Sequence, residues 1–185
     1  MTEPWRSVEE QRSGWPHQPV MLQEVLGFLA GRRRVLDMTL GAGGHAEALL
    51  ESGAEVLLGV DRDPAALELA SERLARFGSA FVPIAATFAE LPTMEPVDGV
   101  LYDLGVSSMQ LDDPARGFSF REEGPLDMRM GSGGISAERL VNTASEEELA
   151  DILFGYGEER QSRKVARAIV RARESRRPER RDDTG

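Results

Sequence analysis

The spacing of apolar positions along this chain changes several times, and each change marks an element. Residues 20–29 (Val-Met-Leu-Gln-Glu-Val-Leu-Gly-Phe-Leu) place apolar side chains on one helical stripe, with Gly31 as a C-terminal stop. Val35, Leu36 and Asp37 predict a short buried strand that runs into the turn Gly41-Ala42-Gly43-Gly44, after which His45 to Leu50 predict a helix. Val56 to Val60 is a second apolar run of strand length, closed by Asp61. Asp63-Pro64 then supplies an N-cap and a first-turn proline for a helix carrying Leu67, Ala70 and Leu74. Ala80 to Ile84 predicts a third strand and Val97 to Asp103 a fourth. Strands alternating with helices imply a parallel sheet covered on both faces, whose ligands sit beyond the C-terminal strand ends.

Past residue 111 the alternation stops. Asp112-Asp113-Pro114 and the glycines at 117, 124, 131, 133 and 134 predict a long irregular stretch. Helical patterning returns with Ser145-Glu146-Glu147-Glu148, a capping box ahead of Leu149, Ile152 and Leu153. Val165, Ala168, Ile169 and Ala172 predict the apolar stripe of a final helix, and the charged end from Arg176 to Gly185 predicts disorder.

With 185 residues, 41% of them hydrophobic, the chain can bury a core as one domain or as one domain with a small appendage. It has no cysteine, which excludes a disulfide framework, a thiolate zinc site and a cysteine nucleophile. Met1 to Pro16 is a polar stretch without the apolar centre of a signal peptide, and no later apolar run reaches membrane-spanning length; a soluble, cytoplasmic protein with no membrane partner is expected. The net charge of -10 is unfavourable for binding phosphate backbones, but it is unevenly spread. Residues 1–159 hold 12 Arg against 28 acidic groups, whereas residues 160–185 hold 10 basic groups against 4 acidic. Polyanion binding would therefore centre on the C-terminal segment, although a solvated helix face accounts for the same run.

Gly41-Ala42-Gly43-Gly44-His45-Ala46 fits the glycine pattern of dinucleotide sites, and Asp61 lies 20 residues beyond Gly41, where a ribose-binding carboxylate belongs. On spacing alone an NAD-dependent oxidoreductase fits as well as anything else. Charge separates the readings, because pyrophosphate disfavours nearby carboxylates, whereas Asp37 closes the first strand and Asp103 the fourth. S-adenosylmethionine has no phosphate and presents an ammonium, a sulfonium and a ribose diol, groups that a rim of carboxylates favours. His45 is given a binding role, although a packing role is the commoner one for a histidine beside a glycine turn. Two histidines exclude a histidine-rich metal site; Asp112, Asp113 and Asp127 read as solvated loop carboxylates rather than magnesium ligands, and no metal is expected. Phe118 and Phe120 can stack on an unpaired base or lie buried under their loop.

Several blocks carry a more specific resemblance. His17-Gln18-Pro19-Val20, Asp37 to His45 (Asp-Met-Thr-Leu-Gly-Ala-Gly-Gly-His), Asp103-Leu104-Gly105-Val106-Ser107-Ser108, Arg116-Gly117-Phe118-Ser119-Phe120, Gly124 to Met130 and Tyr156-Gly157-Glu158-Glu159-Arg160 resemble, in collinear order, the bacterial 16S ribosomal RNA cytosine-N4 methyltransferases of the MraW or RsmH type. The resemblance implies an α/β, Rossmann-like S-adenosylmethionine methyltransferase fold with an inserted, mostly helical substrate domain. It implies N4-methylation of a cytidine in 16S rRNA of the small ribosomal subunit. Carried over residue by residue, cofactor contacts fall on Gly43, Gly44, His45, Asp61, Phe88, Asp103 and Gln110, with Asp37 a weaker addition. Asp103 is the candidate catalytic group, and Arg116, Phe118, Phe120 and Arg129 are candidates for substrate binding. Met109 stands where the family usually has proline.

The expected organisation is a polar tail over 1–16, a cofactor-binding part over 17–112, a helical substrate-recognition region over 113–175 and a disordered end over 176–185. The match dissolves after Arg173, while family members continue well beyond it, so the chain resembles a C-terminally truncated member with an incomplete parallel sheet. An unfinished sheet edge predicts marginal stability or association through that edge, and a truncated form that binds cofactor without transferring a methyl group is the alternative reading.

Overall fold

A computed structural model describes residues 19–131 and 133–176. The tail over 1–16, the His17-Gln18 pair and the end beyond residue 176 lie outside the described residues. Two compact units divide the chain, the first holding residues up to Ser108 together with Met130 and Gly131, the second holding Met109–Arg129 and the residues from Gly133 onward.

In the first unit, helix α1 (Leu22–Phe28) precedes strand β1 (Arg34–Asp37), helix α2 (Gly44–Glu51), strand β2 (Val56–Asp61), helix α3 (Pro64–Leu74), strand β3 (Phe81–Ala85) and strand β4 (Gly99–Leu101). All pairings are parallel and the strand order is β3-β2-β1-β4. Leu36 lies opposite both Leu58 and Val100, so β1 is central and the chain reverses direction across the sheet between β3 and β4. Val35, Leu57, Leu49 and Leu74 share one core cluster, while Leu36, Met38, Leu58 and Val60 share another. Consecutive residues of β1 and β2 thus belong to opposite faces, both covered, which is why these strands read as unbroken apolar runs rather than alternating ones.

Asp63 accepts a hydrogen bond from Ala65 N, with Pro64 in the first helical turn, as the sequence predicts for α3. The buried Arg73 on α3 donates twice to Glu47 on α2, at 2.9 and 2.7 Å, tying the two helices together. Strand β4 is shorter than the Val97 to Asp103 run predicts, because its one neighbour β1 turns away after Asp37 and leaves nothing to pair with beyond Leu101. Asp98 instead caps the start of β1, accepting from Arg33 N and Arg34 N at 3.0 and 2.9 Å.

In the second unit, helix α4 (Ser108–Asp112) leads to a 3-10 turn (Pro114–Arg116), an irregular stretch, and helices α5 (Ala137–Thr143), α6 (Glu146–Gly155) and α7 (Ser162–Arg176). The capping box is present in full: Ser145 Oγ accepts from Glu148 N, and Glu148 accepts from Ser145 N. Helix α5 was not foreseen; Ser136 caps it by accepting from Arg139 N. Leu149 and Ala150 of α6 pack on Ala166 of α7, with Ile169 and Val170 alongside. The buried face of α7 therefore runs through Ala166 and Val170, whereas Val165, Ala168 and Ala172 of the predicted stripe are exposed.

Candidate functional site

Three backbone bends collect the polar groups at the C-terminal end of the first unit's sheet. After β1 the chain turns at Met38–Leu40, with Leu40 N donating to Val60 O at 3.0 Å, and enters the glycine turn. Gly43 sits at φ +77°, and a Cβ there would lie 3.2 Å from both Ala70 Cβ and Leu74 Cδ1 on α3. Only glycine combines that backbone conformation with that approach. The turn ends on α2, whose first residues are Gly44 and His45.

Asp37 is 1% exposed. Its Oδ1 accepts from Thr39 N at 3.0 Å and from the Thr39 hydroxyl at 3.4 Å, while Oδ2 is buried with no hydrogen-bond partner among the described residues. Burial pushes its carboxyl up to about 6, against the opposing pull of the Thr39 amide and of His45. His45, also buried, places Nε2 2.9 Å from Val20 O and Nδ1 3.8 Å from Asp103 Oδ2. A carbonyl oxygen only accepts, so Nε2 carries the proton in this contact and Nδ1 is turned toward the Asp103 carboxylate. Asp61 ends β2, accepting from Gly41 N through Oδ2 and from Asp63 N through Oδ1, both at 2.9 Å. The structure thus gathers Asp37, Asp61, Asp103, His45 and the glycine turn at one end of the sheet. The three carboxylates and His45 form an acidic rim beside the glycine turn.

Phe88 is 55% exposed and stands edge-on to Tyr102 with ring centroids 5.5 Å apart. It is not core, and Tyr102 is a neighbour that sequence reasoning missed; the signal was its place immediately before Asp103. Thr39 was missed too, although a threonine two residues beyond a strand-end aspartate has the spacing of a local side-chain turn.

The remaining candidates belong to the second unit. Gln110 is buried on α4, 8% exposed. Phe120 is fully exposed and Phe118 partly buried. Arg116 donates to Arg129 O at 3.0 Å, and Arg129 pairs with Asp127 at 2.7 Å. That pairing holds the Asp127 carboxyl down to about 2. The irregular stretch is closed on itself: Met128 N donates to Arg116 O, and a Cβ on Gly117 (φ +71°) would lie 2.1 Å from Pro125 O. The Arg116–Phe120 and Gly124–Met130 blocks are therefore two sides of one folded loop. Among the described residues no group of three or more His, Cys, Asp or Glu could hold a metal ion, and no helix is long and apolar enough to cross a membrane.

The profile of the MraW methylase family matches residues 14–183. The ribosomal RNA small subunit methyltransferase H of Cereibacter sphaeroides is 57% identical over 161 residues, 85% of this chain and 49% of that protein. The protein of that name from Gluconobacter oxydans is 51% identical over 163 residues, again 85% of this chain and 50% of its own. A solved rRNA methylase from Streptococcus thermophilus matches 50% of this chain and 58% of its own at 22% identity and a TM-score of 0.40. The chain spans about half the length of the curated relatives it matches.

Proposed function

The chain belongs to the MraW methylase family, and on that premise we propose that it binds S-adenosylmethionine at the acidic rim and serves the N4-methylation of a cytidine in 16S rRNA, in the cytoplasm. The observation that carries the cofactor is Asp37, a buried carboxylate whose Oδ2 has no hydrogen-bond partner among the described residues, beside His45 and Asp103 at the strand ends. A buried anion with an unfilled lone pair is costly until a cationic donor reaches it. An ammonium fits that requirement and a pyrophosphate does not, which weighs against NAD despite the glycine pattern.

Asp37, His45 and Asp103 would face the amino-acid end of the cofactor, Asp61 its ribose diol, and Phe88 its adenine. Gly43, Gly44 and Gln110 are the remaining contacts that the family resemblance implies. S-adenosylmethionine supplies an electrophilic methyl group on sulfur. The task of the protein is then alignment, holding a cytosine N4 in line at near-contact distance. That amine is a weak nucleophile because its lone pair is delocalised into the ring, so an acceptor for its N–H proton assists. Asp103 is 51% exposed and stands at the rim, available for that role; a backbone carbonyl of Leu104 to Val106 is the other acceptor within the same segment. The folded loop of the second unit, with Phe120 fully exposed, offers a ring on which an unstacked base can rest.

The test is transfer of a labelled methyl group from S-adenosylmethionine to 16S rRNA or small subunits, comparing this chain with Asp103→Asn. Transfer that falls about a hundredfold or more in the variant supports the role of Asp103 as proton acceptor. Normal turnover and cofactor affinity in the variant remove it, and saturable cofactor binding without any transfer supports binding alone.

A further inference from the structure

We infer that the Thr39 hydroxyl is a positioning residue that extends the β1–β4 ladder by one rung and holds the Asp103 segment against β1. Backbone pairing between the two strands ends where Met38 N donates to Leu101 O at 2.9 Å. The next donor along that side of the chain after β4 is Asp103 N, and it donates to Thr39 Oγ1 at 2.7 Å. The same hydroxyl donates to Asp37 Oδ1 at 3.4 Å. One side-chain oxygen therefore accepts from the fourth-strand segment and donates to a carboxylate that is itself locked in the first strand. A hydroxyl whose proton is drawn toward a carboxylate is a better acceptor, so the two bonds reinforce each other.

The consequence is geometric. Asp103 is side-chain exposed and lies beyond the last strand pairing, and Leu104 and Val106 that follow it are exposed as well. Without the Thr39 contact, nothing in the β1–β4 ladder would fix the backbone at Asp103. With it, Asp103 Oδ2 is held 3.8 Å from His45 Nδ1, the separation that defines the rim. Valine at position 39 keeps the shape and removes both bonds, whereas serine keeps the hydroxyl.

The structural half of this inference stands on the contacts above, and only its functional half rests on the proposed cofactor site. Residue-resolved amide hydrogen exchange on the whole chain addresses the first half. The Asp103 amide should be protected in the parent and in Thr39→Ser, and should exchange about tenfold faster in Thr39→Val, the scale of one lost hydrogen bond. An unprotected Asp103 amide in the parent overturns the inference whether or not the variant folds, and so does equal protection in the valine variant. Calorimetric titration with S-adenosylmethionine addresses the second half. Thr39→Val should weaken binding severalfold in the parent background and by distinctly less in an Asp103→Asn background, because the part of its effect that passes through Asp103 is absent there and only the part through the Asp37 bond remains. Equal weakening in both backgrounds overturns the coupling. A parent chain that protects the Asp103 amide yet binds no S-adenosylmethionine supports the positioning role and contradicts the cofactor assignment.

Discussion

Asp37 holds a carboxylate that the protein solvates from one side only, and the imbalance has a measurable sign. Folded, it keeps its proton up to about pH 6, whereas the unfolded group releases it near 3.8. Between those values the folded state binds more protons, so the stability this group contributes is full below the window and lost as pH rises through it. Asp37→Asn removes the titration. Its melting temperature relative to the parent should climb between pH 4 and pH 7, equivalent to up to about 3 kcal/mol, with S-adenosylmethionine affinity lost in exchange. A difference that stays flat across that range contradicts the burial argument. At this scale the sequence was informative about which residues stand at the strand ends, since an aspartate closing an apolar run is visible by inspection. It was silent on partners. Thr39 and Tyr102 take their roles from contacts across the sheet end, 64 residues away for the Thr39–Asp103 bond, which no local pattern encodes.

Among the elements, the strongest local signals survived best. Asp63-Pro64 and Ser145 to Glu148 announce helix starts through backbone amides they satisfy themselves, so tertiary context had little to override. Strand β4 and helix α7 show the opposite case. The length of β4 is set by the turn of its neighbour, and the buried face of α7 by where α6 packs, so Ala166 is covered while Val165 is not. Helix α5 was hidden because Ser136 follows a glycine-rich run that reads as loop. The contact between α2 and α3 was equally invisible, because Glu47 and Arg73 look like ordinary surface charges until both are found buried. Among the described residues, Arg73→Ala would leave Glu47 paired with Arg76, itself largely exposed. Urea unfolding should show a loss of about 3–5 kcal/mol, most of it recovered by pairing Arg73→Met with Glu47→Leu. A loss below about 1 kcal/mol, the surface-pair value, would show that the pair is not buried in solution.

For the molecule as a whole, strand-helix alternation identified the parallel α/β sheet. In the strand order β3-β2-β1-β4 the chain reverses beside β1, the position at which open parallel sheets bind ligands, and Asp37 and Asp103 flank His45 at those strand ends. Among the described residues, β3 and β4 are each paired on one side only. The chain length relative to its relatives makes the existence of a working cofactor site in this half the central claim. Calorimetric titration of the 185-residue chain with S-adenosylmethionine and, separately, with NAD tests it most directly. The account predicts saturable binding of S-adenosylmethionine that is lost in Asp37→Asn, and no saturable binding of NAD. Binding of NAD, or S-adenosylmethionine affinity unaffected by the loss of the Asp37 charge, would contradict it.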